Sequence, residues 1–164
     1  MTLYGAGLRL NEGCHLRPTD IESSRMMIRV HQGKGAKDRY TILSAWLLEE
    51  LRGYWRACHH ASSPWLFHSS RDPQRPLCDH VAQNVFYAAL QRAGLPNRGG
   101  IHSLRHSFAT HLLESGVEIM VLKKLLGHGS LKTTCGYLHV SEERIAQVRS
   151  PLDGLALDAA SSRP

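Results

Sequence analysis

IHSLRHSFATHLLESGVEIMVLKKLLGHGSLKTTCGYLHV, residues 101–140, is the stretch on which the reading of the whole chain turns. Apolar residues recurring at three- and four-residue steps, punctuated by glycines, predict three short helices in succession. The first runs from about His102 to Glu114, with Leu104, Phe108 and Leu112 packing inward, and Gly116 terminates it. The second runs from about Glu118 to Leu126, with Gly127 as its C-terminal glycine, and the third opens at Ser130 and carries Tyr137. His102, Arg105, His128 and Tyr137 stand along these helices. Together they suit a site that grips a phosphate and attacks it with a phenol, with the rest of the charge coming from elsewhere in the chain.

A length of 164 residues suits one domain, and 42% hydrophobic with 21% charged residues is ordinary for a globular protein. The formal charge of +6 and pI near 9.4 point to a polyanionic partner, nucleic acid first and an anionic membrane second. No apolar run approaches the roughly 18 residues of a membrane span, and no signal-peptide pattern opens the chain. Cys14, Cys58, Cys78 and Cys135 are scattered and form no C-x-x-C, so free thiols are expected rather than a zinc module or a disulfide framework. Pairs such as His59-His60 and His102-His106 lack Cys or carboxylate partners at ligand spacing, and no metal site is expected.

Upstream, TLYGAGLRL (residues 2–10) places Leu3, Tyr4, Leu8 and Leu10 near helical spacing, weakened by Gly5 and Gly7, and Pro18 closes the segment. Arg9 and Glu12 stand three apart on that helix. They are either a surface ion pair or an arginine aimed into a site and steadied by a carboxylate. Residues 26–31 and 39–43 are β-like runs around a Gly-rich basic tip that carries Lys34 between two glycines, which predicts a hairpin. That tip is either a solvated turn or a basic finger reaching a ligand. Ser44 caps a predicted helix to about Cys58, with Leu47, Leu48, Leu51, Tyr54 and Trp55 as its apolar stripe. Residues 69–76 read as an irregular loop. Asp79 is expected to cap a helix burying Val81, Val85, Phe86, Ala89 and Leu90. A further short helix is expected from Ser141, and the periodicity fades from about Ser150. The fold class is therefore α+β, mainly α-helical, with a small antiparallel β-hairpin or sheet near the N-terminus.

A phosphodiester resists nucleophiles by charge repulsion, so its attacker needs partners that offset charge on the non-bridging oxygens. An arginine fork donates two parallel hydrogen bonds and keeps its charge. Arg105 near a helix start and Arg9 could form such a pair. His102 and His128 can donate to oxygen or move a proton near neutral pH. Tyr137, with an ordinary pKa of roughly 10, needs cations or a base beside it. Lys34 could protonate the leaving alkoxide. Taken singly, each of these residues also has an ordinary structural reading as a cap, a core partner or a core aromatic.

The segments GLRLNE (7–12), HQGKGAKDR (31–39), IHSLRHSFATHLLESG (101–116), LLGHGSLKTT (125–134) and GYLHV (136–140) resemble, in order and separation, the signature blocks of the tyrosine recombinase, or phage integrase, family. The similarity spans about Leu3 to Leu155, and the ending VRSPLDGL is similar to integron integrases and transposon-borne recombinases. The resemblance implies the helical catalytic domain of that family and metal- and ATP-independent cleavage and rejoining of double-stranded DNA, with no cofactor. It implies Arg9 and Arg105 as the phosphate clamp, Lys34 as general acid towards the 5′-oxygen and His102 as assisting base. It further implies His128 as a phosphate hydrogen-bond donor, Tyr137 as the nucleophile forming a 3′-phosphotyrosine, and Glu12 as support for the first arginine. Lys37, Arg39 and Lys132 are assigned to DNA contact. A homotetramer on DNA with exchanged C-terminal segments, no membrane attachment and a cytoplasmic, nucleoid-associated location follow as expectations. Because Met1 lies eight residues before Arg9, residues 1–155 are expected to be a catalytic domain lacking the family's DNA-clamp domain, and residues 156–164 a disordered tail. The alternatives kept open are a non-catalytic DNA-binding remnant and a topoisomerase-like relaxing activity.

Overall fold

The computed structural model describes residues 1–31, 38–58 and 62–137. In chain order these form α1 (Thr2–Gly5), α2 (Leu10–Cys14), a 3-10 turn (Pro18–Asp20), β1 (Ile21–Glu22), β2 (Met27–Val30) and β3 (Arg39–Ile42). Then follow α3 (Ala45–Cys58), α4 (Asp79–Arg92), α5 (Ser103–Glu114), α6 (Ile119–Leu126) and α7 (Leu131–Cys135). None of these helices is long and apolar enough to cross a membrane.

The expected N-terminal helix is split in two. Gly7 has φ +60, the left-handed region that side chains disfavour, and it turns the chain between α1 and α2. Its carbonyl is thereby aimed at α5, and the Phe108 ring fills the space where a Cβ would stand.

The sheet is antiparallel in the order β1-β2-β3, with Ile28 opposite Thr41 and Val30 opposite Arg39. The hairpin is where the sequence places it, and the two-residue β1 adds a third strand. In β2, alternation behaves as expected: Ile28 and Val30 are buried and Arg29 faces out. In β3 it is inverted, because Arg39 and Thr41 face inward while Tyr40 and Ile42 are exposed. Thr41 satisfies its hydroxyl on the Ala6 carbonyl at 2.8 Å, so its inward position costs no unpaired polar group.

Three apolar clusters hold these pieces. Leu8, Leu16, Ile28, Val30, Leu43, Leu47 and Leu51 join the N-terminal segment, sheet and α3. Phe108, Ala109, Leu113, Leu122 and Leu126 join α5 to α6, with Leu112 half-buried beside them. Leu10, Cys14 and Ile101 make the third, against Phe86 and Leu104. Of the expected stripe on α3, Leu47, Leu48 and Leu51 are buried and Tyr54 and Trp55 half-buried, and Ser44 Oγ accepts the Leu47 N–H at 3.1 Å. Helix α4 departs from expectation. Cys78 occupies its N-cap and Asp79 is its first residue. Val81, Val85 and Ala89 are exposed, because the helix leans on α2 through Ala82 and Phe86 and no element among the described residues covers its outer side.

Gly7→Ala should cost at least about 2 kcal/mol in denaturant unfolding, from the strained φ and the collision with Phe108. Gly53→Ala, in mid-α3 with open space around it, should instead gain up to about 1 kcal/mol. Equal effects at the two positions would contradict this account of Gly7.

Candidate active site

The centre of the site is the Glu12 carboxylate at the third position of α2. Arg9, the N-cap residue of that helix, donates its backbone N–H to Oε2 and its Nη1 to Oε1, both at 2.7 Å. Arg39 approaches from β3 with its whole fork, Nη1 to Oε1 at 2.8 Å and Nη2 to Oε2 at 2.9 Å. Arg105 Nη1, from the first turn of α5, lies 3.6 Å from Oε2. The Arg9–Glu12 pair is not one between two exposed side chains: Glu12 is nearly buried, whereas Arg9 is 44% exposed. Three guanidinium groups around one carboxylate leave a surplus of positive charge, which suits an anion.

The second frame of the site is the C-terminus of α6. Its last carbonyls lack intrahelical donors, and cations are favoured there. Arg39 Nε donates to the Leu125 carbonyl at 2.9 Å, and Arg105 Nη2 to the Leu126 carbonyl at 2.6 Å. Arg105 Nη1 donates to the Gly7 carbonyl at 2.6 Å. Gly127, at φ 65, closes the helix as its sequence predicts, and the His128 N–H bonds back to the Lys123 carbonyl. That turn delivers His128 to Arg105, with Nε2 at 3.2 Å from Nη2. Arginine has no acceptor, so Nε2 must accept and the imidazole proton sits on Nδ1. From there it is donated to Thr134 Oγ1 at 3.0 Å. Burial first, then the charges of Arg105, Arg9 and Arg39, lower the His128 pKa and keep the ring neutral. Burial and the neighbouring Arg9 charge bring Arg105 down to about 10, so it remains a cation at neutral pH.

Tyr137 does not ride on a helix as expected. Helix α7 ends at Cys135, Gly136 caps it, and Tyr137 lies in the following turn with its N–H on the Thr134 carbonyl at 3.1 Å. Its ring stacks on His128 (centroids 6.1 Å apart, planes at 11°) and tilts against His106 at 4.9 Å. It is half-buried on the α5–α6 cluster and coupled electrostatically to Arg105. The structure thus brings together Arg9, Glu12, Arg105, His128 and Tyr137. His102 is the exposed N-cap residue of α5 and makes no cap hydrogen bond with its side chain. Lys132 is exposed in the first turn of α7. Lys34, Lys37 and residues from 138 onward, including the helix expected from Ser141 and the expected tail, lie outside the described residues.

Arg39 is a correction. Assigned to DNA contact from the sequence, it is buried, with Nε, Nη1 and Nη2 all turned inward. Sequence reasoning also passed over Thr134, which is fully buried, and His106. A buried threonine on a five-residue helix leaves no periodic signal. His106 follows Arg105 directly, so its presence beside Tyr137 depends on tertiary packing alone.

Burial alone would raise the Glu12 pKa. Hydrogen bonds from Arg39 and the Arg9 backbone, together with the Arg39 charge, outweigh it and lower the value from 4.5 to about 2. The native state therefore binds this proton more weakly than the unfolded chain, and the stabilisation is complete above about pH 4.5 and lost as pH falls towards 2. In urea unfolding, the native protein should lose on the order of 3 kcal/mol more than Glu12→Gln across that window. Parallel stability–pH curves for the two proteins would refute the assignment.

Residues 1–144 match the phage integrase family. A Sinorhizobium fredii protein with the provisional name integrase/recombinase y4qK is 44% identical over 164 residues, covering 99% of this chain and 52% of its own length. The chain spans about half the length of the curated relatives it matches. Among solved structures, the XerA recombinase superposes with TM-score 0.76 at 29% identity, over 88% of this chain and 53% of that one. The XerH site-specific recombinase, in a pre-cleavage complex with its difH substrate, superposes with TM-score 0.75 at 28% identity, over 88% of this chain and 43% of that one. With this fold, this cluster of arginines around Glu12 and a match over residues 1–144, the chain belongs to the phage integrase family.

Proposed function

We propose that the chain cuts and rejoins double-stranded DNA through Tyr137, as part of a site-specific recombinase. The observation that carries this reading is the convergence of Arg9, Arg105 and His128 beside the Tyr137 ring, with Glu12 holding the arginines. In this scheme the scissile phosphate takes the outward donors of Arg9 and sits beside Arg105. Tyr137 Oη attacks phosphorus, the bond to the 5′-oxygen breaks, and a 3′-phosphotyrosine forms. Lys34 gives the proton that the departing 5′-oxygen needs, and His102 assists removal of the phenolic proton. The 5′-hydroxyl of a partner strand reverses the step, and the bond energy held in the phosphotyrosine makes ATP unnecessary.

His128 has a specific part. Its Nε2 accepts from Arg105 in the free protein, so donation to a phosphate oxygen requires a proton on Nε2. An anion beside the ring favours that proton, so phosphate binding and protonation of His128 support each other. Lys37 and Lys132 are assigned to the DNA backbone, whereas Arg39 is not.

Nicked duplexes randomised around the nick trap such an enzyme, because the fragment released after cleavage diffuses away. The native chain should form a covalent adduct with this pool, and Tyr137→Phe none. Salt-sensitive binding with no adduct from the native chain would leave DNA binding as its sole activity. Relaxation of a plasmid of arbitrary sequence would favour the topoisomerase-like alternative. We further propose a homotetramer on DNA, joined by residues after about Val140 docking on a neighbouring protomer. Sedimentation on a duplex that yields adduct should show assembly beyond the monomer, and a lone protomer there would rule this out.

A further inference from the structure

Arg39, like Arg105, is a buried arginine of the cluster, and its Nε, Nη1 and Nη2 all donate within the protein. It is 7% exposed, against 44% for the side chain of Arg9. Its donors divide between two elements that otherwise belong to different halves of the site. The fork takes both oxygens of Glu12 on α2, and Nε takes the Leu125 carbonyl at the end of α6. Two residues beyond Gly127's neighbour Leu126 comes His128, and further on Tyr137. Arg9 lies on the Glu12 side of this bridge.

We propose that Arg39 is a positioning residue for strand cleavage, setting the spacing between the half of the site that clamps phosphate and the half that carries His128 and Tyr137. Glu12 receives four short hydrogen bonds, two from Arg39 and two from Arg9. Without the Arg39 fork, the carboxylate keeps hydrogen bonds only from Arg9, on its own helix, and the longer ion pair with Arg105, so its orientation is less constrained. Arg9 Nη1, which depends on Oε1, turns with it. At the other end, the Leu125 carbonyl loses its donor, and with it goes this hydrogen bond between β3 and α6. Displacements on the scale of an ångström between attacking atom and clamp cost about a hundredfold in rate. Lysine cannot replace Arg39, because one ammonium cannot form the planar fork on Glu12 and also reach Leu125.

This inference rests on the cleavage reading above, and its test separates the two. Arg39→Lys and Arg39→Met are compared with the native chain on the randomised nicked pool and on unselected duplex DNA. Expected for both variants is a fall of about a hundredfold in the rate of adduct formation, with the salt dependence of duplex binding unchanged. The Glu12 carboxyl, followed by carbon-13 NMR, should titrate higher in Arg39→Met than in the native chain. A salt slope reduced by about one phosphate contact would make Arg39 a DNA ligand and overturn the proposal. Unchanged adduct rates, or an unmoved Glu12 titration, would also overturn it. Where the native chain itself forms no adduct, cleavage fails as a reading, and the Glu12 titration and salt slope still decide the role of Arg39. Should Arg39→Met not fold, Arg39→Lys carries the same measurements.

Discussion

A single carboxylate, Glu12, makes it possible to bring three guanidinium groups together at the junction of α2, β3 and α5. Left to themselves, Arg9, Arg39 and Arg105 would repel one another in a partly dehydrated setting where charge interactions are poorly screened. Glu12 offsets part of that repulsion and accepts four of their hydrogen bonds, so the charge it fails to neutralise is concentrated rather than dispersed. Two features of the local sequence put it there. Gly7 turns the chain so that α2 starts just after Arg9, and Glu12 falls at the third position of the new helix, where it also caps Arg9's own N–H.

The second constraint is the unfinished end of α6. A helix of eight residues leaves half of its carbonyls without partners of its own. Two of those carbonyls are filled by arginines from elements far away in sequence, so the same cations serve both a helix terminus and the cluster around Glu12. His128 is drawn into this arrangement by the Gly127 turn, and Thr134 fixes which of its nitrogens faces Arg105. The ring of Tyr137 then packs on His128 from the turn after α7. The order of these dependencies runs from backbone conformation to helix end, then to imidazole orientation, and only then to the phenol.

Much of this was readable in the chain because it is written in local patterns. Helices α3, α5 and α6 follow from apolar spacing, Gly127 from helix-ending chemistry, and the hairpin from alternation around a glycine-rich tip. The site residues became readable through the joint order of Arg9, Arg105, His128 and Tyr137, and through family resemblance. What escaped is what tertiary contacts overrule. On β3, the two apolar residues Tyr40 and Ile42 would be placed inside by pattern alone, yet the inward positions go to Arg39 and Thr41, which have partners waiting in Glu12 and the Ala6 carbonyl. Helix α4 has a core-like apolar spacing with too little around it, among the described residues, to bury Val81 and Val85. Neither outcome has a signature shorter than the fold.

That inverted strand has a bearing on when the arginine cluster can assemble. The bonds that aim its arginines close very large loops: Arg39 meets Leu125 across 86 residues, and Arg105 meets Gly7 across 98. Closing loops of that size costs more chain entropy than forming the local helices that they join. A chain still emerging from the ribosome with α6 unmade has no partner for Arg39 and no turn to present His128. Partly made protein therefore carries scattered arginines rather than an assembled cluster around Glu12.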